Sequence, residues 1–129
     1  MKYIRNPEDV TLGPLHGFEI GAVFVRDECE GCEMIFEKVA PGARFPGNTH
    51  PDMSQFYIVL RGRARVTVGD ETSEVGPGSA VLIPRRTPHY LENPFAEPVE
   101  YFCVDIFPDG PAPGHETWAQ HWAWAKAHI

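Results

Sequence analysis

The chain has 129 residues and a formal net charge of −7, from 18 acidic and 11 basic side chains. Because nucleic-acid binding depends on clustered Lys and Arg side chains, this balance argues against a nucleic-acid partner. No apolar stretch approaches the roughly 20 residues of a membrane span, and the N-terminus has no apolar signal-peptide core. We therefore expect a cytoplasmic protein with one domain over residues 1–129 and no membrane partner.

Short apolar runs separated by 12 Gly and 13 Pro residues fill most of the chain. This pattern is typical of many short strands joined by turns. The predicted strands, in chain order, cover residues 18–25, 34–39, 55–60, 64–68, 71–75, 80–83, 89–93 and 99–106. That number of strands at this spacing favours an all-β sandwich or jelly-roll barrel.

The turn predicted between the first two strands contains a lone C-x-x-C motif, Cys29 and Cys32. A structural zinc site needs four ligands, and a thioredoxin-like redox motif lies between a strand and a helix. We therefore predict surface thiols. A reversible disulfide and a weak metal site are the alternatives.

A helix is predicted only at the end of the chain, at about residues 117–128. Thr117 and Gln120 fit a capping box at its start. Spacings of four, three and four, as on one face of a helix, separate Trp118, Trp122, Ala125 and Ile129. We expect this face to pack on the barrel or on a second subunit.

The histidines of loops and termini are expected to face solvent, namely His16, His115, His121 and His128.

Two histidine segments at the edges of predicted strands carry the best indication of function. The first comprises Gly42, Asn48-Thr49-His50, Gln55 and Gly62, and the second comprises Gly78, Pro84, Arg86, His89 and Asn93. Their order and spacing resemble the two motifs of the cupin superfamily. Three positions depart from the usual motifs: Asn48 replaces a histidine, Gln55 replaces a glutamate and Arg86 replaces a glycine.

The resemblance extends over about residues 34–106. It implies an all-β, double-stranded β-helix (jelly-roll) cupin barrel, here followed by the short C-terminal helix. It also implies a homodimer, since single-domain cupins commonly pair by exchanging N-terminal strands. The residues before Phe18 are the candidates for that exchange.

In cupins with complete motifs, three histidines and the glutamate bind a divalent metal such as iron, manganese, nickel or zinc. Carried over to this chain, the predicted ligands are Asn48, His50, Gln55 and His89. Amide oxygen is a weaker ligand than imidazole or carboxylate, so we expect reduced affinity for the metal. A rival alignment makes Asp52 a ligand, although Pro51 favours a turn there and leaves Asp52 on the rim, holding a loop.

Strand alternation adds residues to this site, because every second residue of a barrel strand faces inward. Tyr57 shares the inward parity of Gln55 and is a catalytic candidate together with His50 and His89. The predicted substrate-binding wall consists of Arg44, Phe36, Tyr90 and Asp105.

The leading prediction of function is a small-molecule enzyme with one divalent metal, of the dioxygenase, isomerase or lyase type. One alternative is a cupin that binds a small ligand, as a sensor does, without turnover. Another is a metal-free epimerase or dehydratase that uses a histidine, because imidazole suits acid–base chemistry at neutral pH.

Overall fold

The computed structural model describes residues 1–45 and 48–129 with their side chains, and residues 46 and 47 only as part of a strand. A short 3-10 turn at Pro7–Asp9 precedes the strands. The strands are β1 (Gly13–Leu15), β2 (Phe18–Phe24), β3 (Cys32–Val39), β4 (Arg44–Asn48), β5 (Ser54–Arg61), β6 (Ala64–Val68), β7 (Glu71–Val75), β8 (Ala80–Ile83), β9 (His89–Glu92) and β10 (Val99–Ile106). The helix α1 (Trp118–His128) ends the chain.

Two antiparallel sheets form the fold. One has six strands in the order β1-β2-β3-β10-β5-β8, and the other has four in the order β4-β9-β6-β7. Their inner faces share one apolar core, whose fully buried members include Val39, Val59, Ala64, Val99 and Tyr101. The predicted all-β jelly roll with a C-terminal helix is confirmed.

The eight predicted strands are all present, with ends that agree to within two residues. The prediction missed β1 and β4. Strand β1 is only three residues long. The sequence of β4 contains a proline and a glycine, two residues that are uncommon inside strands and so indicate a turn or loop. Since β4 leads directly to His50, this omission affects the site.

Alternation within β3 and β10 places polar side chains inside the barrel. The buried positions of β3 are Glu33, Ile35, Glu37 and Val39, and β10 buries every second residue from Val99 to Asp105. Antiparallel pairing sets Asp105 opposite Glu33 and Tyr101 opposite Glu37. Three carboxyl groups therefore lie in the interior, each next to a polar neighbour.

The helix α1 begins at the predicted capping box, in which Thr117 accepts a hydrogen bond from the Gln120 N–H and the Gln120 side chain accepts one from the Thr117 N–H. Trp118, Trp122 and Ile129 pack against the core and Ala125 is buried, so the predicted apolar face does cover the barrel. Among the described residues, no helix has the length and apolarity needed to cross a membrane.

Candidate active site

A narrow cavity of about 60 Å³ lies inside the barrel, between the two sheets and beneath α1. By volume it holds a few water molecules or the reactive end of a larger ligand. It brings together six residues predicted for the site: Asn48, His50, Gln55, Tyr57, His89 and Asp105. Residues from four strands and one loop thus meet in one cavity.

The backbone brings the two histidine segments together. The Arg86 N–H donates a hydrogen bond of 2.8 Å to the His50 carbonyl, which joins the β8–β9 turn to the end of β4. Arg86 has φ +61°, the left-handed conformation that glycine adopts most easily. This explains why the related motif has glycine at that position. The imidazole ring centres of His50 and His89 lie 5.2 Å apart.

The His89 ring is held by the backbone. Its Nδ1 lies 2.9 Å from the Thr87 carbonyl, so Nδ1 carries the proton and Nε2 is left with a free lone pair. Burial lowers the pKa of His89, and it lowers the pKa of His50 to about 4, with a further contribution from His89. Both imidazoles are therefore neutral at pH 7, the form that binds a metal or accepts a proton.

Gln55 has one amide atom fixed and the other free. Its Nε2 donates to Asp105 Oδ1 over 2.8 Å and lies 3.3 Å from the Cys103 thiol. Its Oε1 is buried and has no hydrogen-bond partner among the described residues. A buried carbonyl oxygen without a partner costs about 1–3 kcal/mol, so this atom calls for a donor or a cation in the cavity.

Asp105 belongs to a buried ion network. Arg26 pairs with Glu33 through two charged hydrogen bonds of 2.6 and 2.8 Å, and both side chains are almost fully buried. Burial and the neighbouring Glu33 carboxylate raise the pKa of Asp105 well above its usual range. Burial opposes ionisation of Glu33 as well, but hydrogen bonds from Arg26 and Asp105 outweigh it and lower its pKa. Glu33 is therefore the ionised partner, and Asp105 holds the proton between them.

Glu37 lies along the same cavity and was not predicted from the sequence. The Tyr101 hydroxyl donates a hydrogen bond to Glu37 Oε2, and the Tyr57 ring packs against Tyr101 with centres 4.9 Å apart. Burial raises the pKa of Glu37 to about 7, although the Tyr101 hydrogen bond acts in the opposite direction. Its inward parity, shared with Ile35 and Val39, was the signal available in the sequence.

The Asn48 side chain is less suited to ligation than the other candidates. Its Oδ1 already accepts a hydrogen bond of 3.0 Å from the Thr49 N–H. Asp52 lies on the rim as expected, where its carboxylate accepts a hydrogen bond from the Ala112 N–H and so holds the loop before α1.

Three residues predicted for the pocket wall do not line the cavity. Phe36 faces outward, because its neighbours Ile35 and Glu37 take the inward positions of β3, and it packs against Phe102. Tyr90 faces outward between the buried His89 and Leu91, where the Arg44 guanidinium stacks on its ring at 4.1 Å. The structure therefore does not bring Phe36, Tyr90 and Arg44 to this cavity, because the alternation of β3 and β9 turns Phe36 and Tyr90 outward and Arg44 stacks on Tyr90.

His121 is also placed differently from the prediction. It was expected in solvent but is half-buried beside the cavity, and burial lowers its pKa to about 4. Its Nδ1 lies 3.2 Å from Nδ1 of His115, which is half-buried too. The sequence spacing indicated this position, since His121 follows Trp118 by three residues and precedes Ala125 by four, which places it on the apolar face of the helix. The exposed side chains of His16 and His128 agree with the prediction.

A second, outer chamber of about 310 Å³ adjoins the cavity. The chamber and the cavity share five lining residues, namely Asn48, His50, Met53, His121 and Trp124. A chamber of this size is typical of small-molecule sites. The two volumes together give room for a ligand whose inner end reaches His50.

The donor atoms around the cavity limit the metals that it could hold. Among residues 1–45 and 48–129, no group of three or more His, Cys, Asp or Glu side chains is arranged to hold a metal ion. Two neutral imidazoles and the unpartnered Gln55 oxygen remain. This set suits a first-row divalent ion held weakly, with open positions for a ligand. Cys29 and Cys32 are free thiols, partly exposed and remote from this set along the chain.

Comparison with curated proteins finds partial relatives. The chain is 40% identical over 62 residues to the mannose-1-phosphate guanylyltransferase of Salmonella typhimurium, covering 48% of this chain and 13% of that enzyme. It is 30% identical over 77 residues to an uncharacterised protein of Methanocaldococcus jannaschii, covering 59% of this chain and 62% of that protein. The chain thus spans only part of each relative.

Solved structures show the same fold at low identity. A protein described as a predicted oxalate decarboxylase from Thermotoga maritima superposes with a TM-score of 0.76 at 14% identity, covering 81% of this chain and 98% of that one. The polyketide cyclase RemF of Streptomyces resistomycificus gives a TM-score of 0.73 at 21% identity, covering 82% of this chain and 80% of that one.

The family model of the cupin domain matches residues 35–105, which is more than half of the chain. The chain therefore belongs to the cupin family.

Proposed function

We propose that this cupin binds one divalent transition-metal ion through His50, His89 and the amide oxygen of Gln55, and acts on a small oxygen-bearing molecule. The observation that carries the proposal is the buried Gln55 Oε1, which has no partner among the described residues and lines the same cavity as two neutral imidazoles. Such an oxygen is stabilised by a cation.

The contacts around His89 support a role as a ligand. The bond between its Nδ1 and the Thr87 carbonyl is the type of outer contact that orients metal-binding histidines and leaves Nε2 to the ion. His50 follows the end of β4 and His89 begins β9, and the backbone hydrogen bond between Arg86 and His50 joins the two segments that carry them. Asn48 takes a supporting position, because its oxygen is already used by Thr49.

The charge balance of the site favours an anionic or strongly polar substrate. His50, His89 and Gln55 are neutral and Asp105 keeps its proton, so the proposed ligands supply no negative charge to offset that of a bound ion. Glu37, along the same cavity, has a pKa of about 7 and is only partly ionised at neutral pH. When bound, a divalent ion would supply Lewis-acid stabilisation of negative charge on substrate oxygens. Trp118 and Trp122 line the cavity on the side of α1 and pack against the core.

The type of reaction follows from the site only in part. A cavity of about 60 Å³ admits the reactive end of a substrate, and the outer chamber accommodates the remainder. The proteins with similar solved structures are described as a predicted oxalate decarboxylase and a polyketide cyclase, which are names of enzymes for small oxygen-bearing molecules. Dioxygenase, isomerase and lyase chemistry all remain within the proposal, because one fold hosts many reactions.

A metal-free function is the second candidate. It is favoured by the fact that, in the described part of the chain, no group of three or more His, Cys, Asp or Glu side chains is arranged to hold a metal ion. In that case the neutral His50 and His89 would bind a small ligand directly, as sensor proteins do, or one of them would act as a base in an epimerase or dehydratase.

Metal binding decides between these candidates. Protein purified without an affinity tag is analysed for metals, then dialysed separately against Fe²⁺, Mn²⁺, Ni²⁺ and Zn²⁺. We expect close to one ion per chain in the wild type and in His128→Ala, which removes an exposed helix histidine. We expect loss of that ion in His89→Ala with the fold intact. Unchanged stoichiometry in His89→Ala would refute the site, and no binding of any ion would favour the metal-free function.

A further inference from the structure

A buried line of polar side chains connects the β2–β3 turn with the cavity. Arg26 Nε and Nη2 donate to the two oxygens of Glu33 over 2.8 and 2.6 Å. Glu33 lies opposite Asp105 in the pairing of β3 with β10, and Asp105 Oδ1 accepts the Gln55 amide over 2.8 Å. Every member of the line is at most 7% exposed. Its last atom, Gln55 Oε1, is the one without a partner among the described residues.

The orientation of the Gln55 amide decides what the cavity presents to a ligand. An amide offers an acceptor on one side and two donors on the other, and the two sides have nearly the same shape. The side that faces Asp105 must be the NH₂ group, because Asp105 Oδ1 is an acceptor that the Cys103 thiol also approaches, at 3.4 Å. The carbonyl oxygen is therefore left for the cavity.

We propose that Asp105 is a positioning residue that fixes the Gln55 amide with its carbonyl oxygen toward the bound ion. The inference rests on the proposed function, because the ion is the reason why this orientation matters. It gives Asp105 a different role from the substrate contact predicted from the sequence. It also explains how a glutamine can stand where related motifs have a glutamate, since a carboxylate presents an acceptor whichever way it turns, and an amide must be held.

Two substitutions of Asp105 separate positioning from packing. Asp105→Asn keeps an oxygen that accepts from Gln55 and adds an NH₂ group that can donate to Glu33, so the line remains complete. Asp105→Leu has a similar size but removes the acceptor and leaves the Arg26–Glu33 pair in place. The Gln55 amide then loses its fixed partner.

A third substitution provides the rescue. Gln55→Glu has acceptor oxygens on both sides, so its ability to hold an ion no longer depends on how residue 105 orients it. If Asp105 acts through orientation, Asp105→Leu is harmful with Gln55 and nearly harmless with Gln55→Glu. If Asp105 only supports the fold, the loss is the same in both backgrounds.

The test uses Co²⁺ alone as the probe, titrated calorimetrically into the full chain. We expect Asp105→Asn to stay within about twofold of the wild type and Asp105→Leu to lose about 10- to 100-fold in affinity, as for other outer contacts of metal ligands. In the Gln55→Glu background we expect Asp105→Leu to lose less than about threefold in affinity, and a gain also supports the proposal because leucine removes an acceptor that faces the introduced carboxylate. Wild-type affinity in Asp105→Leu, or an equal loss in both backgrounds, would overturn the proposal.

A readout without metal distinguishes this proposal from the proposed function. In ¹⁵N-labelled protein, the Gln55 side-chain NH₂ is expected to exchange slowly with solvent in the wild type and in Asp105→Asn, and rapidly in Asp105→Leu. If Co²⁺ fails to bind the wild type, the proposed metal function fails, and this exchange pattern still tests the orientation. Rapid exchange in the wild type would overturn the positioning role, whatever the metal result.

Discussion

Replacing Glu37 with glutamine should stabilise the protein above neutral pH and have little effect in acid. Burial raises the pKa of Glu37 from 4.5 to about 7 in the folded chain. Below about pH 4.5 the carboxyl is protonated in both the folded and the unfolded state, so its ionisation costs nothing. As the pH rises from about 4.5 to about 7, folding stability is lost progressively, because the carboxyl ionises in the unfolded chain but stays protonated in the folded one, and above about 7 the loss is complete.

The expected magnitude follows from the two pKa values. The difference between about 7 and 4.5, at about 1.4 kcal/mol for each pH unit, corresponds to about 3 kcal/mol. The glutamine side chain in Glu37→Gln carries no charge and can still accept the Tyr101 hydrogen bond, so the variant avoids this loss. Its free energy of unfolding should exceed that of the wild type by about 3 kcal/mol at high pH.

Urea unfolding at about pH 4.5 and about pH 8.5 measures the effect. The control is Glu71→Gln, which removes an exposed carboxyl on β7 and should show no comparable dependence on pH. The reasoning is refuted if Glu37→Gln is less stable than the wild type at the higher pH. It is also refuted if the difference between the two proteins is the same at both pH values.

Three further predictions concern the turn, the helix and the sheet surface. Arg86 has φ +61°, a conformation that costs less for glycine, so Arg86→Gly should increase the free energy of unfolding by up to about 1 kcal/mol and raise the melting temperature. A lower melting temperature in scanning calorimetry would contradict this. Removal of residues 117–129 should open the cavity and increase the fluorescence of a bound apolar dye, because Trp118 and Trp122 no longer cover it; unchanged dye binding would show that the helix is not a cover. Leu82, 53% exposed on β8, lies opposite the exposed Phe56 of β5 and forms a second candidate face for the expected homodimer besides the N-terminal residues. Light scattering should therefore show a dimer for the wild type and a monomer for Leu82→Glu. A monomeric wild type would refute the expected homodimer.

The sequence alone allowed the strands and the first contacts of the site to be predicted, because both depend on local periodicity. Alternation in β5 places Gln55 and Tyr57 inside together, as expected. The same rule, applied to β3, would have excluded Phe36 and revealed Glu33 and Glu37. The alternation of the whole strand, and not the chemistry of one residue, decides which side chains face the cavity.

Other features depend on contacts between distant segments, which periodicity does not describe. Arg26 lies in a turn and shows no local sign of pairing with Glu33 inside the barrel. The orientation of the Gln55 amide is set by Asp105, 50 residues away in the chain. The sequence shows which side chains face inward, and the three-dimensional pairing decides which of their atoms remain free.

X-ray absorption spectroscopy of the Co²⁺-loaded protein tests the central claim most directly, because it reports the ligands of the ion itself. The account predicts two imidazole nitrogens for each Co²⁺ in the wild type, and no Co²⁺ retained at the site in His89→Ala or in the variant that lacks both His50 and His89. Co²⁺ bound without imidazole in the wild type, or a spectrum that His89→Ala leaves unchanged, would contradict it.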